Sequence, residues 1–172
     1  MPQLPTSPPD AISAAIVVLV AAVAALIDVR TGRIPNALTA TTAIAGLLLA
    51  ASGGTTALTA ALLGGVVGLA LMTPGFVLGG TGAGDAKLMA ALGTLLGPSA
   101  TVRAFLIMAV AGGVLAVGHA VRRRRLGITM ARAAKLTAAP ITTKAEIDAD
   151  AAKTRFAYGP AVAVGAIAAL WW

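Results

Sequence analysis

The sequence predicts an all-α polytopic membrane protein with six transmembrane helices and both termini outside. Three observations predict it. The chain of 172 residues is 58% hydrophobic and only 11% charged, with a mean hydropathy of +0.91; ordinary soluble domains carry about 25% charged residues. Its charges are clustered, leaving long uncharged stretches of a length that suits a bilayer. Its basic residues also sort to one side once six helices are drawn.

The six apolar segments run at about 11–27, 37–52, 55–78, 85–96, 102–121 and 156–172. A helix needs roughly 20 residues to cross the hydrocarbon, with about 17 as the lower end. The second and fourth segments fall short, and bilayer thinning or burial against neighbours would accommodate them. Gly64, Gly65, Gly68, Gly112 and Gly113, with abundant alanine, permit close helix contacts. Residues 1–10 read as an outer tail, 11–172 as a single membrane domain, and about 122–155 as a loop on the opposite side. The tail MPQLPTSPPD has no basic residue, so the first helix is expected to stay as a span rather than be removed as a signal peptide.

Orientation follows from Lys and Arg. The ends of the first, third and fifth helices share one face, which holds Arg30, Arg33, Lys87, Arg122 to Arg125, Arg132, Lys135, Lys144, Lys153 and Arg155. These are 12 of the 13 basic residues, with Arg103 alone opposite. That face is expected to be cytoplasmic, with Trp171 and Trp172 at the outer interface. The net charge of +7 then reports topology, and no nucleic-acid partner is expected. Within the loop, ITMARAAKL fits either an interfacial helix on anionic lipid or a solvated basic segment.

Several chemistries are excluded. Without cysteine there are no disulfides, thiolate zinc sites or Cys nucleophiles. The single histidine, His119, makes a His-based metal cluster or a Ser-His-Asp triad improbable, and it reads as an interfacial residue. The stretch GGTGAGDA is not a nucleotide loop. Gly82 and Gly84 are followed by Ala86 and Lys87 where a dinucleotide fingerprint needs its third glycine, and no G-K-[ST] is present.

The acids carry the functional signal. Asp10 lies in the tail, and Glu146, Asp148 and Asp150 lie in the loop, where they could attract a basic peptide. Asp28 ends the first helix and Asp85 opens the fourth, which runs the other way. Both carboxylates are therefore expected at the cytoplasmic edge, and acids at membrane depth default to a functional reading. Asp28 also has Arg30 and Arg33 close by, and Asp85 has Lys87, so charge alone leaves open a dyad or two interfacial ion pairs. Gly82 and Gly84 permit positive φ and close backbone approach beside Asp85. Pro35 can start the second helix, with Asn36 offering a side-chain cap. Helix dipoles favour a negative charge at Asp85 and disfavour one at Asp28.

These residues resemble those of a known family. Asp28-Val-Arg-Thr-Gly-Arg-Ile34-Pro35-Asn36 resembles the D…IPN segment of the type IV prepilin peptidases. Gly82-Ala83-Gly84-Asp85-Ala86-Lys87-Leu88 resembles their G-x-G-D-x-K-[LM] signature, and Phe156-Ala157-Tyr158-Gly159-Pro160-Ala161 their later Y/F-G-P-A segment. The order is right from about residue 11 to the end. The resemblance implies an aspartyl protease of the bacterial or archaeal inner membrane. Such an enzyme cuts the basic leader from prepilins at the cytoplasmic boundary, just before the hydrophobic pilin helix. Asp28 and Asp85 would be the catalytic pair, with neither a metal nor a cofactor, and the partners would be a prepilin and the bilayer. Bifunctional relatives also N-methylate the product and carry a domain with C-x-x-C pairs. With no cysteine, this chain is closer to the short branch serving Flp/Tad-type pili, and no methyltransferase activity is expected. Presenilin-type proteases share G-x-G-D but resemble the chain less, since Ile27 stands where they have Tyr and no P-A-L segment is present.

In that chemistry two nearby carboxylates share a proton. One takes a proton from water as it attacks the scissile carbonyl, and the other protonates the leaving amine. The alternative is a non-enzymatic channel, transporter or pilus-assembly scaffold using the same acids as an ion site. Against it, no acid near the midplane continues a pathway.

Overall fold

A run of Ala, Val, Leu and Ile without Gly or Pro makes α1 (Ala11–Thr31). The helix stops where Gly32 takes φ 64°, a conformation that costs a glycine nothing. The Gly32 amide there returns a 2.7 Å hydrogen bond to the Asp28 carbonyl. The computed structural model describes residues 11–78, 80–122 and 158–171, the side chains of 115–122 apart. The outer tail, the loop beyond Arg122 with Glu146, Asp148 and Asp150, the ITMARAAKL segment, Phe156, Ala157, Trp172 and the His119 side chain lie outside the described residues.

Pro35 is extended (φ −63°, ψ 133°) and starts α2 (Asn36–Ser52). Gly53 and Gly54 turn the chain into α3 (Thr55–Val77). A turn in which the amides of Gly80 and Thr81 both donate to the Gly75 carbonyl leads to α4 (Ala83–Arg122). The last helix is α5 (Gly159–Ala168), with Pro160 in its first turn, where a missing N–H costs little. The regular structure of the described residues is entirely helical.

Within α4, Gly97 breaks the helix with φ 73° and ψ 173°, and Pro98 opens a second arm. If the arms 83–96 and 98–122 were collinear, Gly112 would lie about 40 Å from Asp85. Instead Gly112 seats the ring of Tyr158, which lies within reach of the Asp85 charge. The chain therefore doubles back at Gly97, and the two arms are the separate fourth and fifth helices of the sequence reading.

The first arm is the centre of the bundle. Its Leu88, Met89 and Leu92 are fully buried, among Val17 of α1, Met72 of α3 and Val162 of α5. Its 14 residues are too few to span hydrocarbon, and burial against neighbours makes up the difference. Glycines set the contacts. Gly64 lies against the backbone of Gly93, Gly68 against Met89 and Ala90, Gly65 against Thr94, and Gly165 against Ala104 and Met108. Gly113 departs from expectation: a Cβ there would meet open space.

The outside of the bundle is apolar. Leu19, Leu48, Val66 and Val110 are 64%, 67%, 63% and 69% exposed. Such a surface suits lipid rather than water. Segments Ala11–Thr31, Thr55–Val77 and Ala83–Val114 are long and apolar enough to cross a membrane, the last containing the Gly97 break, while α2 and α5 are shorter. The protein is a helical membrane protein.

Candidate active site

Asp28 lies in the last turn of α1, one turn earlier than a helix ending at residue 27 would put it. Asp85 lies in the first turn of α4. Both are buried, each 7% exposed. A carboxylate so buried is costly without hydrogen-bond partners, and each has a backbone donor at a helix start.

At Asp85 the donor is local. Its side chain reaches back so that the Gly82 amide donates to Oδ2 at 3.1 Å, while its own amide donates to the Gly82 carbonyl at 3.1 Å. This is one half of a helix-capping box, the acid at the third position capping the Gly82 amide, while the Gly82 carbonyl takes the place of the side-chain acceptor that glycine lacks. Gly82 and Gly84 serve by lacking a side chain, and neither uses a positive φ. A Cβ on Gly84 would come 3.2 Å from the Ile34 Cβ, so this glycine lets the I-P-N segment close against the Asp85 turn.

At Asp28 the donor is distant. The Gly159 amide at the start of α5 donates to Oδ2 at 2.8 Å, a buried bond across 131 residues. This corrects the dipole argument, which compared only α1 and α4. Asp28 lies near the C-terminal end of α1 but also meets the N-terminus of α5, a helix start that the comparison left out.

Tyr158 and Gly159 join the two halves. Gly159 binds Asp28, while the adjoining Tyr158, just ahead of α5, has its ring against Gly112 and its phenol near Asp85. Burial raises the phenol above the ordinary tyrosine value of 10.0, and the Asp85 charge pushes it the same way. Tyr158 is therefore a neutral phenol at neutral pH.

Two more expectations are resolved. Asn36 provides no side-chain cap to α2; its Oδ1 instead accepts a hydrogen bond from Lys87 Nζ at 2.9 Å. That contact ties the I-P-N segment to the signature around Asp85. The motif residues Ile34, Pro35, Asn36, Gly82, Gly84, Lys87, Tyr158, Gly159 and Pro160 all fall at this end of the bundle. Arg30 and Arg33 flank it, and Arg103 lies early in the second arm, near the Gly97 reversal.

Thr31 escaped the sequence reading. Its hydroxyl lies 2.9 Å from the Ile27 carbonyl and 3.0 Å from the Arg33 carbonyl, its one proton serving either, and it accepts from the Arg33 amide, shaping the link between α1 and α2. A Thr-Gly pair closing a helix is the signal that marks such a turn. Among the described residues no group of three or more His, Cys, Asp or Glu could hold a metal ion.

Fold and site together define a polytopic helical membrane protein with two buried carboxylates at one end of the bundle. The type IV leader peptidase family matches residues 15–117, more than half of the chain. The chain belongs to that family. No curated protein and no solved structure matches it.

Proposed function

We propose that this chain is a prepilin leader peptidase in which Asp28 and Asp85 are the catalytic dyad. One observation carries the reading. The only two described carboxylates are buried at the same end of the bundle, Asp28 bonded by the Gly159 amide and Asp85 close enough for its charge to act on the adjoining Tyr158. Family membership supports the reaction class.

One carboxylate, ionised, takes a proton from a water molecule as its oxygen attacks the scissile carbonyl. The other, protonated, hydrogen-bonds the carbonyl oxygen and later gives its proton to the leaving amine, while the proton taken from water stays on the first, so the pair again shares one proton. No covalent intermediate forms, and neither metal nor cofactor takes part. The substrate would be a prepilin of the Flp/Tad type, with a basic leader ahead of an apolar helix. The end of the bundle carrying Arg30, Arg33 and Lys87 would face the cytoplasm of a bacterial or archaeal inner membrane. Six membrane-crossing segments with both termini outside complete the proposal. The oligomeric state plays no part in it.

The test is cleavage of a co-expressed Flp-type prepilin, read by product mass. Asp28→Asn and Asp85→Asn should each abolish cleavage while the protein stays in the membrane at wild-type abundance. Retained cleavage in either variant rules out the dyad.

A further inference from the structure

We propose that the start of α5 is the positioning element for Asp28, with the Gly159 backbone amide holding the carboxylate in its working place. The inference rests on the dyad reading and deepens it, for it concerns a segment beyond residues 15–117, where the family match ends.

Three observations converge. First, the Gly159 amide lies 2.8 Å from Asp28 Oδ2, and the bond is buried. An amide in the first turn of a helix has no partner within the helix, so it is available for this bond. Pro160 follows with no amide of its own, so Gly159 is the donor at this point of the turn.

Second, the fit leaves no room. A Cβ on Gly159 would lie 2.7 Å from the Asp28 Cβ, 2.8 Å from its Oδ2 and 3.1 Å from its Cγ. The first of these is backbone-anchored, so a side chain at 159 moves Asp28 or α5 itself.

Third, α5 is fixed at both ends of its contact with α4. Tyr158 packs on Gly112, and Gly165 packs against the Ala104 carbonyl and Met108. Helix α5 packs extensively on both α1 and α4, which touch each other sparingly. The position of Asp28 relative to Asp85 is therefore transmitted through α5 more than across a direct α1–α4 interface. Gly159 is accordingly a positioning residue, acting through Asp28 and not on the substrate.

The experiment uses the full chain in membranes with a Flp-type prepilin as substrate. Gly159→Ala should lower kcat about 10²-fold with KM within about twofold, as expected when a reacting group is displaced by about an ångström. Gly113→Ala, which meets open space, should leave both constants unchanged. A folded Gly159→Ala protein with wild-type kcat overturns the proposal. If Gly159→Ala does not accumulate, it is combined with Asp28→Gly, which removes the three atoms the new Cβ would strike. Recovery of a folded protein in that background supports the proposal, and failure to recover overturns it. Asp28→Asn separates the two readings. If it still cleaves, the dyad is wrong; if it is inactive while folded Gly159→Ala is fully active, the dyad stands and the positioning role falls.

Discussion

Lys87 Nζ donates to Asn36 Oδ1 at 2.9 Å, joining two side chains 51 residues apart. Each comes from a motif that holds or adjoins a carboxylate, so this bond fixes the opening of α2 against the opening of α4. Asn36→Ala and Lys87→Met should each lower kcat/KM by roughly tenfold. Because they share one contact, the double variant should be no worse than either alone. Multiplicative losses in a steady-state cleavage assay would show that the two residues act separately.

The packing of α3 on α4 gives a stability prediction. A Cβ on Gly64 would strike the Gly93 carbonyl oxygen and come 2.9 Å from the carbonyl carbons of Gly93 and Gly97. Backbone cannot rotate away as a side chain can, so Gly64→Ala should cost about 1–3 kcal/mol. Gly113→Ala should be neutral or gain up to about 1 kcal/mol, the helix-propensity difference. Unfolding of the two purified variants in denaturing detergent makes the comparison; equal stabilities would contradict the packing.

Tyr158 is the only tyrosine in the chain, so absorbance at alkaline pH reports it alone. Its midpoint should lie above 10.0 in the folded protein and return to about 10 on unfolding. Asp85→Asn removes the smaller of the two causes and should lower the midpoint without restoring the ordinary value, since burial remains. The linkage sign follows. With the folded pKa raised, the stability contribution is complete below about pH 10 and declines as pH rises from there through the folded value. Tyr158→Phe should lack that alkaline decline. A normal midpoint in the folded chain would mean that the phenol is not buried beside Asp85.

The product of the proposed reaction has a definite mass. With no cysteine in the chain, we expect trimming without N-methylation. A prepilin incubated with purified protein and a methyl donor should yield a trimmed pilin with an unmodified amine. A gain of one methyl group would refute this.

The sequence by itself determined the class of protein, the start of α2 at Pro35, a break after residue 96, and two acids expected at one end of the bundle. These are local or compositional properties. Proline and glycine act on their own backbone, and a carboxylate in an apolar chain stands out whatever surrounds it. Only the tertiary structure decided which neighbours those residues meet. It gave Asn36 to Lys87 rather than to its own helix, put the Gly159 amide on Asp28, made the short first arm of α4 the core, and left Gly113 idle. The physical reason is the solvent. In water a polar face would mark the outside of each helix, but lipid is as apolar as the protein interior. Leu19 faces outward while its neighbour Val20 is buried, and nothing in two aliphatic side chains says which is which. The order of helices around the bundle is written in close glycine contacts and a few long-range hydrogen bonds, and these exist only once the chain has folded.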